Sequence, residues 1–445
     1  MKALRSRKLA PALALTLAAC SGGAETTTET PTAPTTPTPT VPTVTPTPTA
    51  PAANTATPGS LPRGLLLAYA SFPVENGQIN PTAGRARVEM LMRENGAWRV
   101  ESFEDTSSNV FHKAMPFTPP GGAPGILTLG GMDASVKLWR HSATGWTSET
   151  LWTENFGGRF NRMRDAEIAN LYGDGNALAI ATHDQGIVAT LRWQNGAPTV
   201  TRLDERPNTF VHEIEIGDLD GNGQLEVYAT PSEPNNLDGA AQHGEVVRYV
   251  PAAGGQRTVV ADLGNRHAKE IWVGDVDGDH RDELYVAVEA LTSGTGSAMQ
   301  ITEPVEIRRY EADTAPNAGV VIATLQDRLT RFLTVGDVDG DGRREMVAAG
   351  FSSGLWLLRP GTDPRSAWTV ESLDRESSGF EHTSAFADLD GDGKDELYVA
   401  ADDQGEVRRY VWVNGHANRE VIHHREVPRS ALTWNIVPFD VALAR

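Results

Sequence analysis

A nine-residue acidic loop occurs four times in this chain of 445 residues, each time between two runs of strand-forming residues. The copies are Asp218-Leu-Asp220-Gly-Asn222-Gly-Gln224-Leu-Glu226, Asp275-Val-Asp277-Gly-Asp279-His280-Arg281-Asp-Glu283, Asp337-Val-Asp339-Gly-Asp341-Gly-Arg343-Arg-Glu345 and Asp388-Leu-Asp390-Gly-Asp392-Gly-Lys394-Asp-Glu396. Side-chain oxygens at positions 1, 3, 5 and 9 and the backbone carbonyl of position 7 can wrap a hard cation such as calcium, and glycine lets the loop turn tightly enough to converge them. A lone Asp-Gly cluster is ordinarily a hairpin turn. Four copies in one phase, with a ninth-position glutamate that no turn requires, specify about four calcium sites.

The first aspartates stand at 218, 275, 337 and 388, so the repeat is 51 to 62 residues long, the length of a four-stranded propeller blade with some loop insertion. Around the last copy the strands read as 381–387, 396–401, 406–412 and 419–424, rich in β-branched and aromatic residues and bounded by Gly, Asp and Asn. Units of the same order begin near Arg328, His267, Phe210, Arg162 and Val110. In the Arg162 unit the loop has decayed to Asn170-Leu-Tyr172-Gly-Asp174-Gly-Asn-Ala-Leu178, which lacks ligands 3 and 9, and in the Val110 unit Pro119-Pro-Gly-Gly replaces it, so neither is expected to hold metal. The C-terminus supplies a lone first strand, 432–439, whose partners are 64–69, 87–92 and 98–103 at the other end of the chain. Pairing the termini closes the ring and removes open sheet edges. The expected fold is all-β: a seven-bladed propeller over 62–445, preceded by a disordered stalk.

The N-terminus differs in kind. A cationic start, a short apolar run and Leu17-Ala18-Ala19-Cys20 read as a secretory signal over 1–19, too short to span a bilayer. The tetrad resembles the bacterial lipobox, which implies lipidation of Cys20, and Ser21 resembles the choice that directs such lipoproteins to the outer membrane. The expected location is the bacterial cell envelope, with membrane contact through the lipid anchor only. Residues 20–61 are dominated by Thr, Pro and Ala, a stalk in extended polyproline geometry. Cys20 is the only cysteine, so the domain depends on its core and its metals rather than on disulfides. The net charge of −19 excludes nucleic acid as a partner, and much of it lies in the four loops.

The loops and their spacing resemble the FG-GAP/VCBS repeat family, the calcium-loop propellers of integrin α-chains and of many bacterial secreted and lipoprotein adhesins. The resemblance covers nearly all of 62–445 and implies structural calcium at Asp218, Asp220, Asn222, Glu226 and their counterparts. His280 departs from the pattern, standing where glycine is expected. Members of the family include binding proteins, lectins and polysaccharide lyases, so the fold does not name the function.

Six residues before the first loop ligand, one position is polar or large in all seven blades: His112, Arg164, His212, Lys269, Arg331, His382 and Trp434. Two readings stand. The residues form a channel-mouth pocket for a carboxylate, sulfate or phosphate group, or they pair with neighbouring carboxylates such as Asp165, Glu213, Glu270 and Glu381. A transition-metal site at His112, His212 and His382 is a further reading. No phosphate-loop or HExxH motif is present. The expectation is a monomeric, non-catalytic binding or adhesion module for an unknown protein or glycan, the alternative a lectin or polysaccharide lyase holding an anionic glycan.

Overall fold

The computed structural model describes residues 64–445 apart from 81–83, 132–133, 158–160, 232, 234, 237 and 295–297; the signal segment, Cys20 and the Thr/Pro tract lie outside the described residues. Seven four-stranded antiparallel sheets follow one another, each in simple chain order A-B-C-D except the last. The A strands of blades 1 to 6 are Phe111–Phe117, Met163–Ala169, Val211–Gly217, Ala268–Gly274, Thr330–Gly336 and Ser384–Ala387. Blade 7 takes its A strand, Ala431–Phe439, from the C-terminus and Gly64–Ser71, Arg85–Glu94 and Ala97–Asp105 from the N-terminus. The joint is antiparallel, from Gly64 opposite Phe439 to Ser71 opposite Ala431. Each A strand contacts the A strands on either side, so the seven close around a central axis.

Hydrophobic patterning sets this arrangement. The B strands, such as Glu283–Val288 and Glu396–Ala401, are buried throughout because they have sheet neighbours on both sides and blades above and below. The D strands, such as Gly145–Thr153, carry Thr, Ser and Glu and are exposed along most of their length. Seven separate clusters of buried side chains result, one at each blade-to-blade interface. Fully burying a Leu, Val or Phe there contributes about 1.5–3 kcal/mol. The long interval between the second and third acidic loops has a local cause, a hairpin of Leu291–Ser293 and Gln300–Glu303 inserted in blade 4.

The position singled out in every blade proves to be a backbone irregularity. The ladder between strands A and B slips at His112, Arg164, His212, Lys269, Arg331 and Trp434, each an extra residue in a β-bulge. In blade 6 the strand begins later, at Ser384, and His382 adopts a left-handed φ of 56°.

Candidate functional site

The four acidic loops share one hydrogen-bond scheme. The first aspartate accepts the N–H of position 6, at 2.7 Å for Asp218, 3.0 Å for Asp275, 2.8 Å for Asp337 and 3.0 Å for Asp388. The side-chain oxygen at position 5 accepts the N–H of position 7, at 2.8–3.0 Å in Asn222, Asp279, Asp341 and Asp392. The ninth-position glutamate accepts the N–H of position 2 at 3.0–3.3 Å. Those amides, and the left-handed φ of Gly221, Gly223, Gly340, Gly342, Gly391 and Gly393, wind the loop so that the carboxylates face one another. His280 keeps the same winding with φ 68°.

This donor set fits a hard divalent cation. Carboxylate oxygens of Asp275, Asp277, Asp279 and Glu283 lie within 4.8 Å of one another, as do those of Asp337, Asp339 and Asp341, and those of Asp388, Asp390 and Asp392. Asn222 gives the Asp218 loop two carboxylates and an amide at positions 1, 3 and 5. The backbone carbonyls of Gln224, Arg281, Arg343 and Lys394 are the seventh-position donors that would complete each shell.

Two features of the loops escaped sequence reasoning. An arginine from strand C reaches into each loop: Arg248 to Glu226 at 2.7 Å and Asp220 at 3.5 Å, Arg309 to Asp277 at 2.7 Å and Glu283 at 3.1 Å, and Arg359 to Glu345 at 2.9 Å and Asp339 at 3.9 Å. Arg409 does the same with Asp390 and Glu396. The ninth glutamates are thereby buried at 0–6 % exposure, and Tyr228, Tyr285 and Tyr398 donate hydrogen bonds to three of them. Only Glu283 joins its aspartates in the gathered set, so in the other loops the glutamate ties loop to strand. Burial pushes the carboxyls of Glu226, Glu345 and Glu396 upward and that of Glu283 to about 7. The recurring Arg248-Tyr249, Arg309-Tyr310 and Arg409-Tyr410 pairs are the sequence signal of this clamp.

The eighth position links the loops in series. Asp282 of the second loop accepts the N–H of Asp218 at 2.7 Å, Arg344 of the third donates to the carbonyl of Asp275 at 3.4 Å, and Asp395 of the fourth accepts the N–H of Asp337 at 2.9 Å. The first residue of each of these loops is thus held by the next.

At the other end of strand A, the six bulge residues and His382 meet partners inside the protein. Arg331 pairs with Glu381, and Arg164 lies 3.9 Å from the same carboxylate and 2.8 Å from His212 Nε2. Lys269 lies 3.1 Å from Glu233 and 3.9 Å from Glu289. Trp434 lies under Arg164 and against His112 and Phe380. His112 Nδ1 donates to the carbonyl of Met163 at 2.6 Å, and His382 Nδ1 to that of Gly350 at 2.8 Å, while Ser377 donates to His382 Nε2 at 2.7 Å. Burial holds His112 and His212 well below the usual imidazole range, with Arg164 next in effect for both, and burial pushes His382 down to about 4. Among the described residues these histidines do not gather as metal ligands. None of the seven lines the cavity on the axis.

Residues 337–399, which span the third and fourth loops, match the family model for the FG-GAP-like repeat. None of the curated proteins compared matches the chain. Among solved structures, the Dos1 propeller is similar with a TM-score of 0.49 at 10% identity, over 77% of this chain and 82% of that one. The chain is a β-propeller carrying an FG-GAP-like repeat.

Proposed function

We propose that this protein is a calcium-stabilised, non-catalytic binding or adhesion module of the bacterial cell envelope, held to the outer membrane by a lipid on Cys20 and displayed on its Thr/Pro-rich stalk. The observation that carries the reading is the set of gathered aspartates in three consecutive blades, joined in series and each braced by an arginine. Cations there would offset concentrated negative charge and fix the blades relative to one another, giving a rigid frame with no bond-making chemistry of its own. The FG-GAP-like repeat at 337–399 supports a binding role.

The test is a calcium titration of the full chain by calorimetry, followed by binding to envelope extracts and a glycan array in calcium and in EGTA. About four sites and calcium-dependent capture of one partner are expected. No calcium bound, or turnover of a polysaccharide without added enzyme, overturns the reading.

A further inference from the structure

The axial channel carries chemistry that neither the loops nor the bulges use. Strand A turns every second side chain toward the axis, and a cavity of about 380 Å³ opens there. That volume is in the range of small-molecule sites. Its walls are of two kinds. Blades 2 to 4 contribute Glu167, Glu213, Glu215 and Glu270, whereas Trp272, Phe332, Phe386 and Val437 cover the side formed by blades 4 to 7.

The acidic wall is under-neutralised. Lys113 lines the cavity beside it and is taken by Asp165, at 2.8 Å, and by Glu167. Glu270 accepts the N–H of Leu333 at 2.8 Å. Glu213 meets another acid, Asp165, and Glu215 has no ion pair or hydrogen bond among the described residues. Burial, and then neighbouring carboxylates, hold Glu213 and Glu215 well above the usual carboxyl range. Ser384, 3 % exposed, lines the same cavity with a hydroxyl that has no hydrogen-bond partner. A bare metal ion fits poorly: the carboxylates that gather within 4.8 Å are those of the loops, not these. Spread charge facing an aromatic wall calls for a larger cation with an apolar body.

We propose that the central channel binds a small organic amine, its ammonium group on Glu213 and Glu215 and its apolar body against Trp272, Phe332 and Phe386, with Ser384 free to take a second polar group. The site is independent of the calcium loops. Charge-assisted hydrogen bonds to two carboxylates favour the ammonium over a neutral group of equal shape by roughly tenfold or more.

The probe is tyramine, titrated into the full calcium-loaded chain by calorimetry and tryptophan fluorescence, with tyrosol as the neutral analogue and phloretate as the anionic one. Tyramine is expected to bind about tenfold or more tighter than tyrosol, and phloretate not to bind. E213Q/E215Q should erase that preference while the melting temperature at pH 7 stays level or rises, because carboxyls held high in the folded state lower stability as pH climbs past their unfolded value. S384A should weaken tyramine a few-fold. The proposal is overturned if tyrosol or phloretate matches tyramine, if none of the three binds, or if E213Q/E215Q leaves the preference intact. Should that variant fail to fold, the three-compound series on the unaltered chain decides. Equal tyramine affinity in EGTA and in calcium separates this site from the loops.

Discussion

Blades 3 to 6 and blades 7, 1 and 2 finish strand A in opposite ways. The first group gathers carboxylates and braces them with Arg248, Arg309, Arg359 and Arg409. In the second group no such set of carboxylates gathers among the described residues. In blade 2, Tyr172 stands at the third position and Arg192 stacks on it at 4.4 Å from the ring centre, so a cation–π contact takes the place of the third carboxylate while Arg192 keeps a looser ion pair with Asp174 at 3.8 Å. In blade 7, Asp440 caps the short 3-10 turn Val441–Ala444 by accepting the N–H of Ala442 at 2.9 Å, and Val441, Leu443 and Ala444 pack on the interface with blade 1. On the proposed reading, blades 3 to 6 would depend on metal and the blades that carry the closure would not. An FG-GAP-like loop is optional in a blade provided that something else holds the turn.

The strongest way to break the comparison is at the closure. Deleting Ala431–Arg445 removes strand A of blade 7 and leaves Gly64–Ser71 as an open edge. The expected outcome is aggregation with or without calcium, read by size-exclusion chromatography. A soluble monomer of unchanged stability would show that closure contributes little.

Next in size is chelation. Each site contributes about 2.7 kcal/mol at a hundredfold excess of calcium over Kd, and extracellular modules bind at about 10⁻⁴ to 10⁻³ M. EGTA should lower the melting temperature and raise hydrogen exchange in strands A and B of blades 3 to 6, while blades 7, 1 and 2 keep their protection. Uniform loss of protection would mean that the two halves are coupled; no change in melting would remove calcium from the account. D337A should abolish one site and leave the fourth loop in place, because the N–H that Asp395 accepts belongs to the backbone of residue 337 and survives the change.

How much of this was legible follows the same division. Blade number, closure and the acidic loops could be read because loops repeat in phase and an orphan strand at one terminus matches a trio at the other. The arginine clamp was missed although Arg-Tyr recurs in three of its four strands, because its arginines follow the ninth glutamate at intervals from 13 to 26 residues, set by loop lengths that differ between blades. The bulges were visible only as a column of large polar residues. A bulge is a backbone event, so the column looked like a binding ring although its side chains meet Glu381, Glu233 and main-chain carbonyls. The channel acids were hidden for the opposite reason: the positions one and three residues after the bulge vary in type from blade to blade, and no column stands out.

The buried histidine of blade 6 offers a sharper probe of the bulge end. His382 is fully buried and its pKa is pushed down to about 4, so between pH 6.5 and 4 the unfolded chain binds a proton that the folded one refuses. Its contribution is complete above pH 6.5 and is lost as the pH falls, by about 3 kcal/mol at the lower end. H382N, which tolerates the left-handed backbone, should flatten the slope of stability against pH in that window by about this amount. Parallel slopes for the two proteins, measured by urea unfolding at several pH values, would place the acid sensitivity elsewhere.

The smallest expected effect tests whether the Asp275 loop is truly equivalent to its glycine-bearing neighbours. His280 holds φ 68°, which glycine adopts freely and which costs most L-residues roughly 1–2 kcal/mol, histidine somewhat less. H280G relieves that strain but gives the unfolded chain more freedom, which returns about 0.4–1 kcal/mol. The net gain should be a few tenths of a kcal/mol, a rise in melting temperature on the order of 1 °C. Calcium affinity should stay the same, because the N–H that Asp275 accepts at 3.0 Å belongs to the backbone and survives the change. The imidazole is 95 % exposed, with Nδ1 3.9 Å from Asp275 Oδ2. A weaker calcium site in H280G would therefore assign that ring a part in holding the first ligand, and the four loops would no longer be one device in four copies.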